Sequence, residues 1–256
     1  MATYPLPVGT TTATAVSLYA GEVDFSAANA TMTNGAQTVD GAGLTIQNAD
    51  DAALTEFATV SGVGMRVASS SATSSNVGFT MTQAQIEAVC GTTFDPSLDM
   101  LRVEWLVGED VPGFNASTIF GPRVTLTGGS TALTLDGWYR GGANTIHFAT
   151  SGGPGPDSEG TLTSSGPANG TAIDFLVGGG LMKVAERAGL TDYSASAYKW
   201  QAGVDVRPTD AEAAITHADS PFASDAALSL MCLFNLTSGA DTATAKKMRL
   251  TIIKEA

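Results

Sequence analysis

Three pairs of neighbouring carboxylates have the types and spacing best suited to chemistry in this sequence. They are Glu22 and Asp24, Asp50 and Asp51, and Glu109 and Asp110. Two carboxylates that flank a glycosidic bond can serve as the acid and as the base or nucleophile of a glycosidase. If GEVDF forms a strand, Glu22 and Asp24 share one face, where loop carbonyls could complete a Ca²⁺ site. The other two pairs lie in sequence typical of turns.

The sequence lacks the other features that would support catalysis. It has no denser acidic strand of the type E-x-D-x-x-E, no G-x-S-x-G motif, and neither of the glycine-rich phosphate-binding motifs. We therefore expect that the protein is not an enzyme. A glycoside hydrolase or lyase that uses Glu22 and Asp24 is the second alternative for its function.

Histidine and cysteine are too few and too widely spaced to form a metal centre. His147 and His217 make no H-x-x-x-H pair, and Cys90 and Cys232 make no C-x-x-C pair. We expect His147 to be structural because it lies in the strand-like run NTIHFAT. Two distant cysteines do not indicate a disulfide framework, so we expect two buried thiols, and a bridge between them stays open. No cofactor is expected, apart from Ca²⁺ as an ion that the carboxylates could bind.

A pair of aromatic residues could form a platform for a sugar. Trp138 and Tyr139 lie together in DGWYRGG, beside Arg140 and a glycine turn. An exposed aromatic ring in such a place can stack on a sugar ring. Because side chains alternate along a strand, the two rings would point to opposite faces. At most one of them is then exposed, and the alternative is that Trp138 packs in the core.

Short strands must position these residues. Apolar or alternating runs recur between clusters of Gly, Asn, Asp and Ser, as in half-buried antiparallel strands. In LRVEWLV, for example, Leu101, Val103, Trp105 and Val107 share one face. The ten clearest candidates cover residues 43–48, 63–69, 100–108, 123–128, 131–139, 144–150, 171–178, 201–207, 228–236 and 247–254. The pattern predicts an all-β protein, an antiparallel β-sandwich or jelly roll with a few short helices.

Three short helices are predicted beside the strands. MTQAQIEAVCG (81–91) has Thr82 and Gln85 at the spacing of a capping box. GLMKVAERAGL (180–190) ends at a glycine that could cap a helix, and TDAEAAITHAD (209–219) repeats the capping-box spacing. We expect each helix to cover a sheet edge or one end of the sandwich.

The N-terminal residues differ in composition from the rest of the chain. Residues 1–20 carry no charge and contain two prolines and a Thr/Ala run. We interpret residues 1–35 as an extended N-terminal arm, and residues 36–256 as one jelly-roll-like domain. Within that domain, residues 150–171 are rich in Gly, Pro and Ser and are expected to form a long exposed loop.

The composition narrows the class of partner. The 256 residues include 12 Lys and Arg against 25 Asp and Glu, a formal net charge of −13, and the first basic residue is Arg66. Nucleic acid is therefore not an expected partner, because phosphate binding needs clustered Lys and Arg. No apolar run is long enough to span a membrane, and the N-terminus does not resemble a signal peptide. Hydrophobic residues make up 43% of the chain, which is typical of a globular protein.

The C-terminal segment carries a resemblance to a known family. DAALSLMCLFNLTSGADTATAKKMRLTIIKEA (225–256) is an apolar strand, an Asn/Ser/Gly loop and a closing strand that follows basic residues. It resembles the final hairpin of concanavalin A-like (laminin G-like) jelly-roll domains, as found in bacteriophage virion accessory proteins. Residues 98–124 are similar to the central part of such domains, and residues 36–47 to their opening strands. The chain lacks the metal-ligand cluster of the lectins in this family.

The resemblance implies a role on a virion. We expect a non-enzymatic bacteriophage structural protein of the capsid-decoration, head-fibre or other fibre type, assembled in the host cytoplasm and displayed on the virion surface. Its expected partners are other virion proteins and further copies of itself, bound through the N-terminal arm. The first alternative is a lectin-like carbohydrate-binding module that recognises a cell-surface glycan through Trp138, Tyr139 and Arg140.

Overall fold

A computed structural model gives the fold. It describes residues 2–4, 14–73, 76–110, 119–127, 134–140, 145–151, 158–163, 170, 172–178, 181–187, 200–201, 204–205, 211–216, 227–236 and 239–255. The first strands are β1 (Ala2–Tyr4), β2 (Thr14–Asp24), β3 (Ala30–Thr31), β4 (Gly35–Val39), β5 (Ala42–Gln47), β6 (Leu54–Val60), β7 (Gly64–Ser69) and β8 (Val77–Thr82). Helix α1 (Gln83–Cys90) follows, and then come β9 (Met100–Val107), β10 (Ile119–Thr127), β11 (Thr134–Arg140), β12 (Thr145–Ser151), β13 (Ser158–Thr163) and β14 (Ala172–Gly178). The last strands are β15 (Leu181–Arg187), β16 (Trp200–Gln201), β17 (Val204–Asp205), β18 (Ala211–Thr216), β19 (Ala227–Asn235) and β20 (Asp241–Glu255).

The protein is an all-β sandwich of two antiparallel sheets, as the sequence predicted. Sheet A has the strand order β18-β15-β14-β9-β20-β7-β6-β3, and β2 joins it along β20, with β1 paired to β2. Sheet B has the order β13-β12-β11-β10-β19-β8-β5-β4. The short strands β16 and β17 pair with each other. All ten strand candidates correspond to strands of the structure, at least in part.

The core between the sheets is built around Trp105 of β9. Its ring lies 5.9 Å from that of Phe25, 6.3 Å from that of Phe79 and 5.9 Å from that of Phe234, measured between ring centroids. All four side chains are fully buried, and tilted aromatic contacts of this kind add to the stabilisation that burial supplies. The predicted inward face of β9 is therefore confirmed.

Helix α1 is the one predicted helix that the structure confirms. The Thr82 hydroxyl accepts a hydrogen bond from the Gln85 N–H, and the Gln85 side chain accepts one from the Thr82 N–H at 2.8 Å. Gly91 ends the helix in the left-handed conformation, with φ of 70°. Ile86 and Cys90 are buried, so the helix packs against the sandwich through these residues.

The other two predicted helices are wrong. Residues 181–187 form β15, which pairs with β14 on one side and with β18 (Ala211–Thr216) on the other. Both segments contain good helix formers, but a seven-residue or six-residue run gains more from pairing along a sheet than from its weak intrinsic propensity. The predicted loop 150–171 also contains a strand, β13, which pairs with β12.

Two further expectations about the chain termini need correction. Strand β2 lies within the predicted arm, yet residues 16–24 pair with β20 inside sheet A, so this part of 1–35 belongs to the sandwich. The predicted final hairpin is also wrong, because β19 lies in sheet B and β20 in sheet A.

Candidate functional site

Strand β20 pairs with three strands of sheet A and carries the basic residues of the candidate site. One edge of β20 pairs with β9, while the other pairs with β7 over residues 241–245 and then with β2 over residues 247–255. The register shifts at Lys246, and the Lys246 carbonyl accepts a hydrogen bond from the Phe25 N–H at 3.1 Å. This bulge reverses the alternation, so that Ala245 and Met248 both face the core while Lys247 and Arg249 face outward.

The first predicted carboxylate pair faces these two cations. In the register of β2 and β20, Glu22 is opposite Arg249 and Asp24 is opposite Lys247. Lys247 Nζ lies 3.0 Å from Glu22 Oε1 and 3.3 Å from Asp24 Oδ2, and Arg249 Nη2 lies 3.2 Å from Glu22 Oε2. We call these four residues the β2–β20 ion-pair ladder. The carboxylates share one face of a strand, as predicted, and they bind basic side chains there.

Asp24 has further hydrogen-bond partners. Its Oδ1 accepts hydrogen bonds from the Ser26 hydroxyl and from the Ser26 N–H, the latter at 2.8 Å. Burial alone would raise the pKa of Asp24, but the Ser26 hydrogen bonds and the Lys247 ammonium outweigh it, so the pKa lies below its usual value. The Asp24 N–H donates to Asp40 Oδ2 at 2.9 Å, and this bond ties the β4–β5 turn to β2.

The second predicted pair, Asp50 and Asp51, stabilises a turn. Asp50 Oδ1 accepts a hydrogen bond from Asn34 Nδ2 at 2.7 Å, and Asp51 Oδ1 accepts one from the Ala53 N–H at 2.9 Å. The Asp51 N–H also donates to the Asn48 carbonyl at 3.2 Å. The expectation that these residues form a turn is confirmed.

In the third pair, Asp110 contacts sheet A. Its Oδ2 lies 3.3 Å from Arg66 Nε and accepts a hydrogen bond from the Thr244 hydroxyl at 2.9 Å. Arg66 also binds Glu56, with 2.9 Å between Nη1 and Oε2. Glu109 is exposed. Asp110 therefore joins the segment after β9 to β7 and β20.

A fourth charged pair was not anticipated from the sequence. Arg102 and Glu104 lie on the face of β9 opposite Trp105, with 3.8 Å between Arg102 Nη2 and Glu104 Oε1, and only 1% and 0% of their side chains are exposed. Leu106 and Thr251 on the same face are also buried. Alternation alone predicts this face to be solvated, so the sequence gives no signal of its burial.

A small cleft lies where α1 meets β2 and the β4–β5 turn. Its volume is about 240 Å³, and Glu22, Asp40, Gly43 and Val89 are among the residues that line it. Within the part of the chain that the structure describes, no group of three or more His, Cys, Asp or Glu residues could hold a metal ion. Ca²⁺ binding therefore stays a prediction without a described ligand set.

The three residues of the predicted sugar platform lie on β11 in sheet B. Trp138 is opposite His147 of β12, Tyr139 lies between Phe120 of β10 and Ile146 of β12, and Arg140 ends the strand. The glycine turn expected after Arg140, and the side chains of all three residues, lie outside the described part. The platform therefore stays a prediction about side chains, on a strand with a neighbour on each side.

The remaining candidate residues, the cysteines and histidines, are buried, lie within a strand or fall outside the described part of the chain. Cys90 and Cys232 are both buried free thiols, which confirms the favoured interpretation, and burial raises the pKa of Cys90 to about 11. His147 lies within β12, and His217 is outside the described part. Among the described helical residues, none forms a helix long and apolar enough to cross a membrane.

Comparison with known proteins finds matches among solved structures. No protein family matches the sequence, and no curated protein matches it. Among solved structures, the CBM2 module of the evolved Dit protein of Lactobacillus casei BL23 phage J-1 is 12% identical, with a TM-score of 0.44 over 93% of this chain and 98% of that one. The alginate lyase AlyC3 is 12% identical, with a TM-score of 0.46 over 82% of this chain and 89% of the lyase. Trypanosoma rangeli sialidase is 10% identical, with a TM-score of 0.43, and the match spans 90% of this chain but 30% of the sialidase.

Proposed function

We propose that this chain is a non-enzymatic structural protein of a bacteriophage virion, of the capsid-decoration or fibre type. The observation that favours this proposal over the glycosidase alternative is the β2–β20 ion-pair ladder. The carboxylates best placed for glycosidase chemistry bind Lys247 and Arg249 at 3.0 to 3.3 Å, and they join the N-terminal strand to the C-terminal one. The pKa of Asp24 is lowered because the Ser26 hydrogen bonds and the Lys247 ammonium outweigh burial, so this carboxylate stays ionised beside its basic partner.

The uncharged N-terminus supports the same proposal, together with the resemblance of residues 98–124 and 36–47 to the central and opening strands of phage accessory domains. Val16 is opposite Glu255 at the end of the β2–β20 pairing, whereas Thr14 and Ala15 pair only with β1 among the described residues. The β1–β2 hairpin thus extends beyond the end of β20. This hairpin is the part of the predicted arm that would contact other virion proteins or further copies on the virion surface.

Virion attachment tests the proposal. Particles from a phage that lacks the gene are mixed with purified protein and sedimented, and we expect wild-type protein to sediment with them. A truncation that begins at Thr14 removes β1 but leaves β2 intact, and we expect it to lose attachment while melting as a folded protein. Glu22→Gln serves as the matched control and should attach as wild type does. Failure of the folded wild-type protein to bind particles would overturn the proposal.

A carbohydrate-binding module is the second candidate. The strand register favours a carbohydrate-binding module because it places aromatic residues side by side. β10, β11 and β12 bring Phe120, Tyr139 and Ile146 into one row, and Trp138 and His147 form the next row. A glycan-array screen with Ca²⁺ and with chelator tests it. Specific binding that is lost in Trp138→Ala or Tyr139→Ala, and weakened in Arg140→Ala, would support this function, and unchanged binding in all three variants would reject the site.

A further inference from the structure

One side of the sandwich presents two sheet edges with no charged residue on either. Among the described strands, β3 ends one side of sheet A and β4 ends the same side of sheet B, and residues 32–34 connect them. Ala30, Thr31, Gly35, Ala36 and Thr38 are all exposed. From residue 25 to residue 39 the sequence contains no Asp, Glu, Lys or Arg, although the whole chain carries a net charge of −13.

Strand β4 carries none of the residue types that usually protect a sheet edge. Natural edge strands carry Lys, Pro, inward charges or bulges that prevent pairing with another chain. β4 has the sequence GAQTV and pairs with β5 in continuous register from Gly35 to Val39. Such an edge is a template for a further strand.

The edge is also held in place by its own turns. Asp40 and Gly41 have φ values of 48° and 78°, as in the two-residue turns that fix hairpin register. Gln37 Nε2 donates to the Thr33 hydroxyl at 2.6 Å, and Asn34 Oδ1 accepts from the Ala49 N–H at 2.7 Å. A partner strand would therefore meet an ordered edge and cause little loss of entropy on binding.

The register decides which backbone groups are free to bind a partner. Val39 and Ala42 flank the two-residue turn, so they form the first hydrogen-bonded pair of the hairpin. Bonded pairs alternate with non-bonded ones in an antiparallel ladder, so Gln37 bonds inward to β5. The N–H and C=O groups of Ala36 and Thr38 then point away from β5.

We propose that a second copy of this chain pairs with β4 across a two-fold axis at Gln37. Antiparallel pairing places Ala36 opposite Thr38 of the partner subunit and Thr38 opposite Ala36 of the partner subunit, and each of these pairs exchanges two backbone hydrogen bonds. Gln37 and the partner's Gln37 form the non-bonded pair between them, where side chains approach most closely. The two copies of sheet B become one continuous sheet.

The occupant is a second copy because pairing through β4 places no like charges directly opposite each other. Two copies of a chain with a net charge of −13 repel each other through their charged surfaces, whereas residues 25–39 carry no charged side chain. A closed two-fold dimer also requires a surface that is complementary to itself, which β4 provides through its backbone. Asp40 and Asp50 lie near the two ends of the edge, so the dimer should tighten as salt screens them.

Analytical ultracentrifugation of the purified full chain tests this proposal. We expect a reversible dimer that strengthens with salt, and we expect Thr38→Pro, which removes an outward N–H, to raise the dissociation constant by at least about tenfold. Thr38→Ala keeps that N–H and is the matched control, so it should dimerise as wild type does. Circular dichroism and thermal melting establish that each variant is folded.

Charged substitutions at Gln37, which lies on the two-fold axis, test the dimer independently if Thr38→Pro does not fold. Gln37→Glu and Gln37→Lys should each be monomeric, because like charges directly opposite destabilise a strand pair, and their mixture should form a heterodimer. A wild-type protein that stays monomeric at its highest soluble concentration would overturn the proposal, and so would a mixture that fails to associate. These measurements use no virion, so their failure is separate from a failure of particle attachment.

Discussion

Glu22 and Arg249 lie opposite each other on β2 and β20, with 3.2 Å between Glu22 Oε2 and Arg249 Nη2, although 227 residues separate them in the sequence. Lys247 lies beside them and binds both Glu22 and Asp24. The N-terminal strand is thereby held to the C-terminal strand by side chains as well as by the backbone ladder. Two carboxylates whose spacing suggests a catalytic pair can therefore serve to hold two strands together.

The ladder predicts a measurable coupling between its members. Glu22→Gln and Arg249→Gln should each lower the free energy of unfolding, and a double-mutant cycle should give a coupling of about 0.5–1 kcal/mol. The value is modest because the Glu22 and Arg249 side chains are 30% and 15% exposed. Urea unfolding checks it, and strict additivity of the two variants would show that the pair does not stabilise the fold.

Close contact between β2 and α1 predicts a sensitive glycine. A Cβ atom at Gly21 would lie 2.0 Å from the Val89 carbonyl oxygen, which belongs to the backbone and cannot move aside. Gly21→Ala should therefore lower the free energy of unfolding by about 2 kcal/mol or more. Gly43→Ala is the matched control, because its Cβ would come closest to the amide nitrogen at the end of the Gln85 side chain, at 3.3 Å, and no backbone atom is among its nearest neighbours. Equal melting temperatures for the two variants would contradict the packing of α1.

The buried thiols predict resistance to thiol reagents. Burial raises the pKa of Cys90 to about 11 and that of Cys232 well above its ordinary 9.0. Neither thiol should react with Ellman's reagent at pH 8 until denaturant is added. Because an unfolded thiol loses its proton near pH 9 and the folded Cys90 near pH 11, stability should fall as the pH rises through this window. Rapid modification of the native protein would show that these sites open easily.

Acid should destabilise the protein through Asp24 and Asp95. Hydrogen bonds from Ser97 lower the pKa of Asp95, and Asp24 also has a lowered pKa because its hydrogen bonds outweigh burial. A lowered carboxyl pKa stabilises the fold above the ordinary value near 3.8, and that stability is lost as the pH falls through the lower folded value. Ser26→Ala should raise the pKa of Asp24 in a carboxyl NMR titration. An unchanged titration would mean that these hydrogen bonds are weak in solution.

The sequence contained enough information for the fold class and for part of the element pattern. The alternation of apolar and polar residues correctly predicted that Trp105 and its neighbours on the same face point inward, and the capping box at Thr82 correctly predicted α1. The helices expected at 180–190 and 209–219 failed because helical spacing in a short run cannot reveal the sheet partners that decide its conformation. One local signal was available, since two glycines separate β14 from β15 and such a pair favours a hairpin.

The candidate site was only partly predictable. The spacing of Glu22 and Asp24 correctly predicted that they share a strand face, but their basic partners lie on a distant segment that no local pattern identifies. The buried position of Arg102 and Glu104 depends on what covers the outer face of β9, and alternation contains no information about that cover. Contacts between distant segments, rather than local propensity, determine which charges are buried.

Gradient purification of phage particles from the strain that carries this gene, followed by quantitative mass spectrometry, tests the central claim most directly. The protein should co-purify with the particles at many copies per virion, and antibody labelling should place it on their surface. Its absence from intact particles, with the protein free in the lysate, would contradict a virion structural role. Release of sugar fragments from polysaccharide by the free protein, lost in Glu22→Gln, would then identify an enzyme instead.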